Sequence, residues 1–551
     1  MQNKVRTRVV KRQNLDTEFI PYSLLKEARE VLGGEFSRLT NRHQVGYIDI
    51  FWNNYGITKT NQHSKQIDSF KMPRDNVNRF FVDQRDFRAI NNNGYYLGLK
   101  GVRLGVSDKV SFSRKEKDGY TRHEPTLWVD KTFNAYGRAG SKTPGQCCAY
   151  RLAPKVAKMM DGWFTKQLVE DDEEPQGMVN LNGDRVEDVA KEYGGGIVRE
   201  VSKVSKNVNV EVLVKINRTS LVHHKAQLEL VEGYLVEHSL ETLIKGSKEW
   251  LKVRDKLEGL SLGKRAPEPD SGLVGVKVNN TKDKPLESLS MKDFTKDGIQ
   301  QRIIQINRLL IISKHIGNSK VNVNYYEVST GRYHTKGAIL QGYNKSVRYA
   351  ALSGCYEYDL EAAHQNILVQ LLDKEGASFE ELDVVREYIS NKVEIRKRLA
   401  KELNTSVAIV KTIIQELTYG ARLSRYKGVA IYDTCNGDEQ LIERVITHHW
   451  LKAYSSTFTI ANNILVGRKI KITNAVGIKV DVDNKRSALA HILQGCERQI
   501  LDAVIAHCNR KDMALLLHDC VVFYNKQSSE ELSLIVREKT GFNLKFSEEK
   551  Y

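Results

Sequence analysis

Near the end of this 551-residue chain, two short apolar runs are separated by a single His-Asp pair. Residues 513–517 and 520–524 flank His518 and Asp519, and this pattern predicts a tight β-hairpin with one carboxylate at its tip. A carboxylate enclosed by apolar strands is costly unless a cation meets it. Because hard divalent cations prefer carboxylate oxygens, the hairpin indicates a metal-binding position.

The composition favours a nucleic-acid partner. The formal net charge is +17, an excess that suits a polyanion. Seven cysteines without C-x-x-C spacing argue against a zinc ribbon or a disulfide framework, and they favour an intracellular, cytoplasmic setting. The basic N-terminus leaves an organelle open as the location. No apolar run approaches the roughly 18 residues of a membrane span, so no membrane association is predicted.

The chain divides into three predicted parts. Residues 1–256 mix strand-like runs, such as 46–51 and 127–129, with amphipathic helical segments, which predicts a basic α+β domain. A generic accessory role is favoured for it, and nucleic-acid binding is the alternative. Residues 257–296 are rich in Gly, Pro, Asp and Lys and predict a linker or mobile loop. Residues 297–551 follow as the C-terminal part, and the length allows each part a core of its own.

A second carboxylate lies 160 residues before the hairpin, at Asp359. The alternation of Tyr356 and Tyr358 with acidic residues predicts a strand that ends near Asp359, and residues 362–368 then have a helical pattern. A carboxylate at such a junction is accessible to a ligand. A solvated or helix-capping Asp is the alternative interpretation.

Between these carboxylates, residues 407–420 predict a helix that suits a nucleotide. Lys411, Gln415 and Tyr419 recur every four residues and therefore share one face. Lys would meet a triphosphate, and Tyr would lie against base and sugar. A predicted apolar stripe on a neighbouring face consists of Val407, Val410, Ile414 and Leu417. An ordinary surface stripe is the alternative for this helix.

The order of these segments resembles the polymerase I-like superfamily, which comprises the family A DNA polymerases and the single-subunit RNA polymerases. The matching elements are the strand–Asp–helix, the Lys-x7-Tyr-Gly pattern at 411–420 and the His-Asp hairpin. Two further segments resemble the family A enzymes in spacing: Thr330-Gly331-Arg332 followed by Gln341, and Arg486 eight residues before Gln494-Gly495.

The resemblance implies an α+β fold with a right-hand polymerase of palm, fingers and thumb in residues 297–551, and with fingers roughly at 370–480. The implied function is template-directed nucleotidyl transfer. The favoured form is a DNA polymerase of a phage or plasmid that adds dNTPs to a primer 3′ end on a DNA template. A single-subunit RNA polymerase or primase-like enzyme, with a DNA template and nascent RNA, is the alternative. An inactive nucleic-acid-binding replication protein is the second alternative, and oligomeric state stays open.

The resemblance also implies roles for particular residues. Two Mg²⁺ ions, with Mn²⁺ as a substitute, would be held by Asp359, Asp519 and the Leu360 carbonyl. Lys411 would neutralise the triphosphate and Tyr419 would close over the nascent pair, which completes the implied catalytic set. Gln415 would lie beside them in the nucleotide site. The implied contacts with the nucleic-acid duplex are Arg332, Gln341, Arg486, Gln494 and His518.

The residues expected to read the sugar depart from both families. His364 stands five residues after Asp359, where the DNA enzymes have a Glu that excludes the ribose 2′-hydroxyl and the RNA enzymes have a Gly. An imidazole there would act as a steric gate, would hydrogen-bond the 2′-hydroxyl, or would simply pack against the palm. His491, three residues before Gln494, favours RNA synthesis, because the RNA enzymes place a His near that position.

One cation of the family pattern is missing. The Arg expected four residues before Lys411 is Val407 in this chain. Arg396 and Arg398 are the candidate replacements, with a solvated basic face as the alternative.

Overall fold

The computed structural model describes nearly all of the C-terminal half of the chain and parts of the N-terminal half. The described ranges are 20–54, 69–73, 127–133, 147–169, 177–186, 199–201, 209–259 and 293–551, with short gaps at 33, 38–39, 153, 181–182, 184, 245–246, 329, 336–338, 378–379, 428, 483–484 and 510. These residues form helices together with small sheets, as expected for the α+β class. None of the helices in these ranges is long and apolar enough to cross a membrane.

The chain folds into two compact units. The first comprises Met1–Val201, Glu211–Asn324 and Thr335–Ser353, and the second comprises Ser202–Val210, Tyr325–His334 and Gly354–Tyr551. Most of the predicted linker at 257–296 lies outside the described residues. Of its described residues, Asp293–Thr295 pairs as an antiparallel strand with Thr242–Ile244 within the first unit. The chain passes between the units several times, and the last of these boundaries follows Ser353.

The helices of the first unit are α1 (Tyr22–Leu32), α2 (Gly34–Ser37), α3 (Asn41–Asn54), α4 (Pro154–Val169), α5 (Arg218–Glu237), α6 (Lys248–Gly259), α7 (Lys296–Ile316) and α8 (Lys345–Ala351). Its strands are β1 (Ile20–Pro21), β2 (Ser69–Pro73), β3 (Leu127–Phe133), β4 (Cys147–Leu152), β5 (Met178–Val179), β6 (Arg185–Val186), β7 (Arg199–Val201), β9 (Thr242–Ile244) and β10 (Asp293–Thr295). Three strands cross the boundaries between the units along the chain: β8 (Asn209–Lys215), β11 (Lys320–Glu327) and β12 (Tyr333–Thr335).

Helix α7 lies in the core of the first unit. Its carbonyl at Leu310 accepts a hydrogen bond of 2.7 Å from the Arg218 guanidinium of α5. Its Arg308 side chain is buried and donates to the Trp52 carbonyl of α3. The Trp52 ring contacts the Trp163 ring edge to face, at a centroid distance of 5.7 Å. Aromatic and charged groups thus join four helices of this unit, α3, α4, α5 and α7.

The prediction of a strand at 46–51 is wrong, because α3 runs through it. Val45, Ile48 and Trp52 are buried, at a spacing that one helix face provides and that a strand cannot. The polar residue Asp49 shares that buried face, which hid the helical period in the sequence. The strand predicted at 127–129 is confirmed as the beginning of β3.

The helices of the second unit are α9 (Ala363–Lys374), α10 (Glu381–Glu402), α11 (Val407–Thr418), α12 (Ala430–Thr434), α13 (Glu439–Thr447), α14 (His449–Leu465), α15 (Lys485–His507) and α16 (Ser529–Thr540). Its strands are β13 (Tyr356–Leu360), β14 (Lys471–Thr473), β15 (Lys479–Asp481), β16 (Met513–Leu516), β17 (Cys520–Phe523) and β18 (Phe546–Lys550). The predicted hairpin is confirmed as β16 and β17, which pair antiparallel.

Four of these strands form the central sheet of the second unit, in the order β16-β17-β13-β18. All three pairings are antiparallel. Every residue of β16 and β17 is buried, which explains why the sequence shows continuous apolar runs rather than alternation. Strand β13 lies between β17 and β18, with Tyr358 and Leu360 buried. The sheet therefore holds Asp359 near one strand end by pairing on both sides.

Helix α15 approaches the loop before β15 so closely that only a glycine fits at position 495. A Cβ atom added at Gly495 would lie 2.7 Å from the Asn474 Cβ. Asn474 is buried, and its side-chain amide donates a 3.0 Å hydrogen bond to the Thr330 carbonyl. Because Asn474 also accepts hydrogen bonds from Val476 and Ile478, it has little freedom to move away.

Gly495→Ala is accordingly expected to destabilise the protein by about 1–3 kcal/mol, the usual cost of forcing extra atoms into a packed interior. The matched control is Gly233→Ala, since a Cβ at this exposed position of α5 has no atom within 4 Å. The control is expected to stabilise by roughly 0.5–1 kcal/mol through helix propensity. Urea unfolding followed by circular dichroism measures both. A Gly495→Ala protein as stable as the control would contradict the close approach.

Candidate active site

The two predicted carboxylates meet at one end of the central sheet. Asp359 on β13 is the register partner of Cys520, the residue directly after Asp519. The Leu360 backbone N–H donates to the Asp519 carbonyl at 3.2 Å, so the hairpin tip is fixed against the end of β13. The convergence of Asp359 and Asp519 follows from strand pairing, although 160 residues separate them in sequence.

The Asp359 carboxyl lies in surroundings that disfavour its charge. Partial burial, the nearby Asp519 carboxylate and the Glu357 carboxylate on the same strand raise the pKa of Asp359 to about 7. The smaller opposing effects come from Lys392 and Lys411. A carboxyl group in this state has a strong electrostatic preference for an added cation.

Asp519 lies at the tip of the hairpin, in the turn between β16 and β17. The residue is exposed overall, yet partial desolvation around its carboxyl raises its pKa above the ordinary range, and the Glu497 carboxylate acts in the same direction. Arg332 and His364 oppose that rise. Among the residues that the structure describes, no cation forms a salt bridge with Asp359 or Asp519. The pair is therefore open to a cation from solution.

Two lysines influence this pair electrostatically. Lys411 lies on α11 with its side chain exposed, and Lys392 lies half-buried on α10. Lys392 directly follows Asn391, whose φ of −131° and ψ of 31° interrupt α10. Lys392 has the larger effect on Asp359 of the two cations. The structure thus provides a pair of ammonium groups near the carboxylates.

The two arginines predicted as replacement cations have other contacts. The Arg396 guanidinium lies over the Tyr388 ring, 5.4 Å from its centroid, and also donates to the Tyr388 hydroxyl. Arg398 pairs with Glu387 at 3.5 Å. Both partners lie on α10 itself. Lys392 is the residue of this helix that acts on Asp359.

Helix α11 has the predicted faces with one exception. Val410, Ile414 and Leu417 are buried, whereas Val407 is 44% exposed because it lies in the first turn. Gln415 is exposed beside Lys411, as predicted. Tyr419 caps the C-terminal end of α11, and its amide donates to the Gln415 carbonyl at 3.2 Å. Burial raises the pKa of the Tyr419 hydroxyl, and the nearby Arg332 opposes that rise.

A buried cluster lies beside the two aspartates, and we call Arg332, His364, Tyr419 and Glu497 the Glu497 cluster. One oxygen of Glu497, Oε2, lies 2.6 Å from Arg332 Nη2 and 2.8 Å from His364 Nε2. The Glu497 side chain is 1% exposed. Burial alone would raise the pKa of Glu497, but His364 and Arg332 outweigh it and lower that pKa, so this carboxylate stays charged.

His364 is held from two further directions. Its ring contacts the Tyr419 ring edge to face, at a centroid distance of 5.3 Å. It is the second residue of α9. The residue that precedes this helix, Ala362, has a φ of +46°. A left-handed alanine is rare and costly, and such conformations cluster at functional sites. This turn directs the chain from Asp359 to His364 within five residues.

The segment that contains Arg332 is anchored by helix α15. Arg498 is buried, donates to the Gly331 carbonyl at 2.7 Å and lies 3.3 Å from the centroid of the Tyr333 ring. Gly331 has a φ of +93°, and a Cβ there would lie 2.7 Å from a Val476 methyl. Arg332 therefore has buried anchors on both sides, at Gly331 and Tyr333.

The other predicted site residues are placed as follows. Gln341 belongs to the first unit, where its side chain accepts a 2.8 Å hydrogen bond from the Thr335 amide. Gln494 and His491 lie partly buried on α15, three and six residues before Glu497. Arg486 lies in the first turn of α15, and its side chain is outside the described part of the structure. The centroids of the His518 and His334 rings are 4.6 Å apart, and the two ring planes are tilted by 45°.

Sequence reasoning missed Glu497 and Lys392. Glu497 occupies a position of the apolar stripe that contains Leu493, Ile500 and Val504, all of them buried. A charged residue on a buried helical face needs a partner, and that signal was present in the sequence. Lys392 left no comparable signal, because it is one of many basic residues on an amphipathic helix.

The donor set fits a hard divalent cation of the magnesium type. No group of three or more His, Cys, Asp or Glu side chains suited to a metal ion occurs among the described residues. Magnesium needs no such group, because it is commonly held by one or two carboxylates together with water and substrate phosphates. Asp359 and Asp519 provide two carboxylates, and the adjacent Leu360 carbonyl provides a third oxygen.

No protein-family model matches the chain, and no curated protein matches it. Any assignment of activity therefore depends on the residues of the second unit and on the geometry just described.

The raised pKa of Asp359 predicts how stability depends on pH in metal-free buffer. Its ordinary value is 3.8, whereas the folded chain has a pKa of about 7. Between these values the folded state binds more protons than the unfolded state, so the free energy of unfolding falls as pH rises from about 4 to about 7. Above that range the loss is complete.

Asp359→Asn is expected to flatten this dependence and to be more stable than the wild type above pH 7. Urea unfolding at a series of pH values, with a chelator present, measures the slope. Because both proteins contain the same histidines, the contribution of these residues to the slope cancels in the comparison. An Asn variant with an equally steep decline would show that Asp359 does not titrate in this range.

Proposed function

We propose that this chain is a template-directed nucleotidyltransferase, a DNA polymerase that adds deoxynucleotides to a primer 3′ end. The partners are a DNA template–primer and nucleoside triphosphates, and Mg²⁺ is the cofactor. The observation that supports this most is the meeting of Asp359 and Asp519 through strand pairing, without a salt bridge from either carboxylate to a cation among the described residues. The net charge of +17 agrees with a nucleic-acid partner.

Asp359, Asp519 and the Leu360 carbonyl are the groups that would hold the metal. When bound, Mg²⁺ supplies an acidified primer hydroxyl and charge stabilisation at the transferred phosphate. The two carboxylates would orient this centre from the end of β13 and from the adjoining hairpin turn before β17. Since each of them has a raised pKa, proton loss accompanies metal binding and favours activity above neutral pH.

Lys392 and Lys411 would neutralise the triphosphate beside this centre. Their charges already act on Asp359, so their ammonium groups lie within electrostatic range of the reacting phosphate. A lysine in this position is able to protonate the departing pyrophosphate. Lys392 would thereby supply the second cation that the sequence of α11 lacks.

Tyr419 would close the site over the nascent base pair. Its ring already contacts the His364 ring edge to face, and its amide is bonded to the last turn of α11, so both contacts position it before a nucleotide enters. In a right-hand polymerase, the central sheet would form the palm, and α10 to α14 would form the fingers. His518, Gln494 and Arg486 would contact the duplex, where base pairing rather than the protein selects the sequence.

Primer extension with purified protein tests the proposal. The wild type is offered a primed and an unprimed DNA template, with dNTPs and rNTPs in separate reactions containing Mg²⁺. Extension of the primed template with dNTPs is expected, and Asp519→Asn is expected to lower it by at least about a thousandfold, because a metal ligand is removed. Asp512→Asn is the matched control, since Asp512 precedes β16 and bonds with Asn525 at the other end of the hairpin.

Three outcomes would contradict the proposal. Unprimed products made from rNTPs would identify an RNA polymerase or primase-like enzyme. Template binding without any synthesis would identify an inactive binding protein. Extension that survives in Asp519→Asn but is lost in the control would show that the hairpin tip is not the catalytic position.

A further inference from the structure

Glu497 has no role in the proposed chemistry, although it is a deeply buried charge in the second unit. The side chain is 1% exposed, and taking a carboxylate out of water costs several kcal/mol. That cost is compensated only by the two donors that converge on its Oε2 atom, Arg332 and His364. A carboxylate placed in this way fixes the position of both donors.

The contact with Glu497 decides which atoms of His364 are available. The His364 Nε2 atom is engaged by Glu497 Oε2 at 2.8 Å, and it also lies 3.2 Å from Arg332 Nη2. Because both nitrogens share one acceptor, the Nε2 proton is committed to Glu497. A sugar hydroxyl approaching from the nucleotide side would have to displace a charged partner to reach it. His364 is therefore set to exclude such a hydroxyl rather than to bind it.

The imidazole lies at the boundary between the metal-binding carboxylates and the base-stacking residue. It follows Asp359 by five residues and contacts the edge of the Tyr419 ring. A nucleotide whose phosphates meet Asp359 and whose base meets Tyr419 would have its sugar beside His364. The sugar is the part of the substrate that differs between deoxynucleotides and ribonucleotides.

We propose that Glu497 is a positioning residue for sugar selection: it holds the His364 imidazole against Tyr419, where the ring occupies the space that a ribose 2′-hydroxyl would need. This inference rests on the proposed polymerase function and names deoxynucleotides as the substrate class. Glu497 touches neither the nucleotide nor the metal. It acts through His364, and its charge keeps the ring in place.

The test compares kcat/KM for a dNTP with kcat/KM for the matching rNTP, in single-nucleotide extension. Glu497→Gln keeps the shape but loses the charge, and it is expected to lower the dNTP preference by about tenfold, mainly through better use of the rNTP. His364→Ala is expected to lower the preference at least as much. The double variant is expected to have the same dNTP preference as His364→Ala alone, because Glu497 acts on sugar choice through that ring. Its contacts with Arg332 and its charge near Asp519 act on both nucleotides alike and leave the ratio unchanged.

Asp502→Asn is the matched control, since Asp502 lies on the same helix and pairs with Arg498 at 2.8 Å. It removes an ion pair of α15 without touching His364, so the dNTP preference is expected to stay at the wild-type value. If Glu497→Gln does not fold, Glu497→Asp is used in its place. The aspartate retains the charge, but its shorter side chain moves the carboxylate oxygen away from His364 by the length of one methylene. The same fall in preference is then expected.

An unchanged preference in folded Glu497→Gln or Glu497→Asp would overturn the inference, and so would equal losses for dNTP and rNTP. Additive effects in the double variant would overturn it too, because they would mean that Glu497 acts by another route. A wild type that incorporates neither nucleotide would overturn the proposed function itself, and it is recognised in the same assay before any variant is measured.

Discussion

The pairing of β13 with β17 is the interaction on which the rest of the second unit depends. It sets Asp359 opposite Cys520 and thereby places Asp519 beside it. A slip of one residue in this register would turn Asp359 towards the opposite face of the sheet, because side chains alternate along a strand. Burial of every residue in β16 and β17 makes such a slip expensive. The apolar runs thus fix the strand register that brings Asp359 and Asp519 together.

Helix α15 supplies a second constraint, since it contributes two buried charges of opposite sign at adjacent positions. Glu497 holds Arg332 and His364, while Arg498 holds the backbone and the aromatic ring on either side of Arg332. The guanidinium of Arg332 therefore forms its salt bridge with Glu497, and its charge only partly opposes the raised pKa of Asp519. This arrangement leaves an excess of negative charge at the aspartates, and that excess is what a divalent cation requires.

The sequence predicted those elements whose hydrophobic period was undisturbed: the hairpin, the strand before Asp359 and helix α11. It failed at residues 46–51, where buried Asp49 concealed the helical period and adjacent apolar residues imitated a strand. Glu497 and Lys392 were missed for a different reason. Their roles arise from contacts between segments far apart in the chain, such as the 165 residues that separate Arg332 from Glu497. Gly495 was first noticed through a family pattern, whereas its packing against Asn474 is visible only in three dimensions.

Direct measurement of divalent-cation binding tests the central claim, that Asp359 and Asp519 form one metal centre. Mn²⁺ reports on such a site by electron paramagnetic resonance, and free and bound ions are counted in a titration of the protein with template–primer and a dNTP. The wild type is expected to bind two ions at pH 8, and Asp359→Asn and Asp519→Asn are each expected to lose this binding. Wild-type stoichiometry and affinity in both variants would contradict the claim, because the two carboxylates would then hold no ion in common.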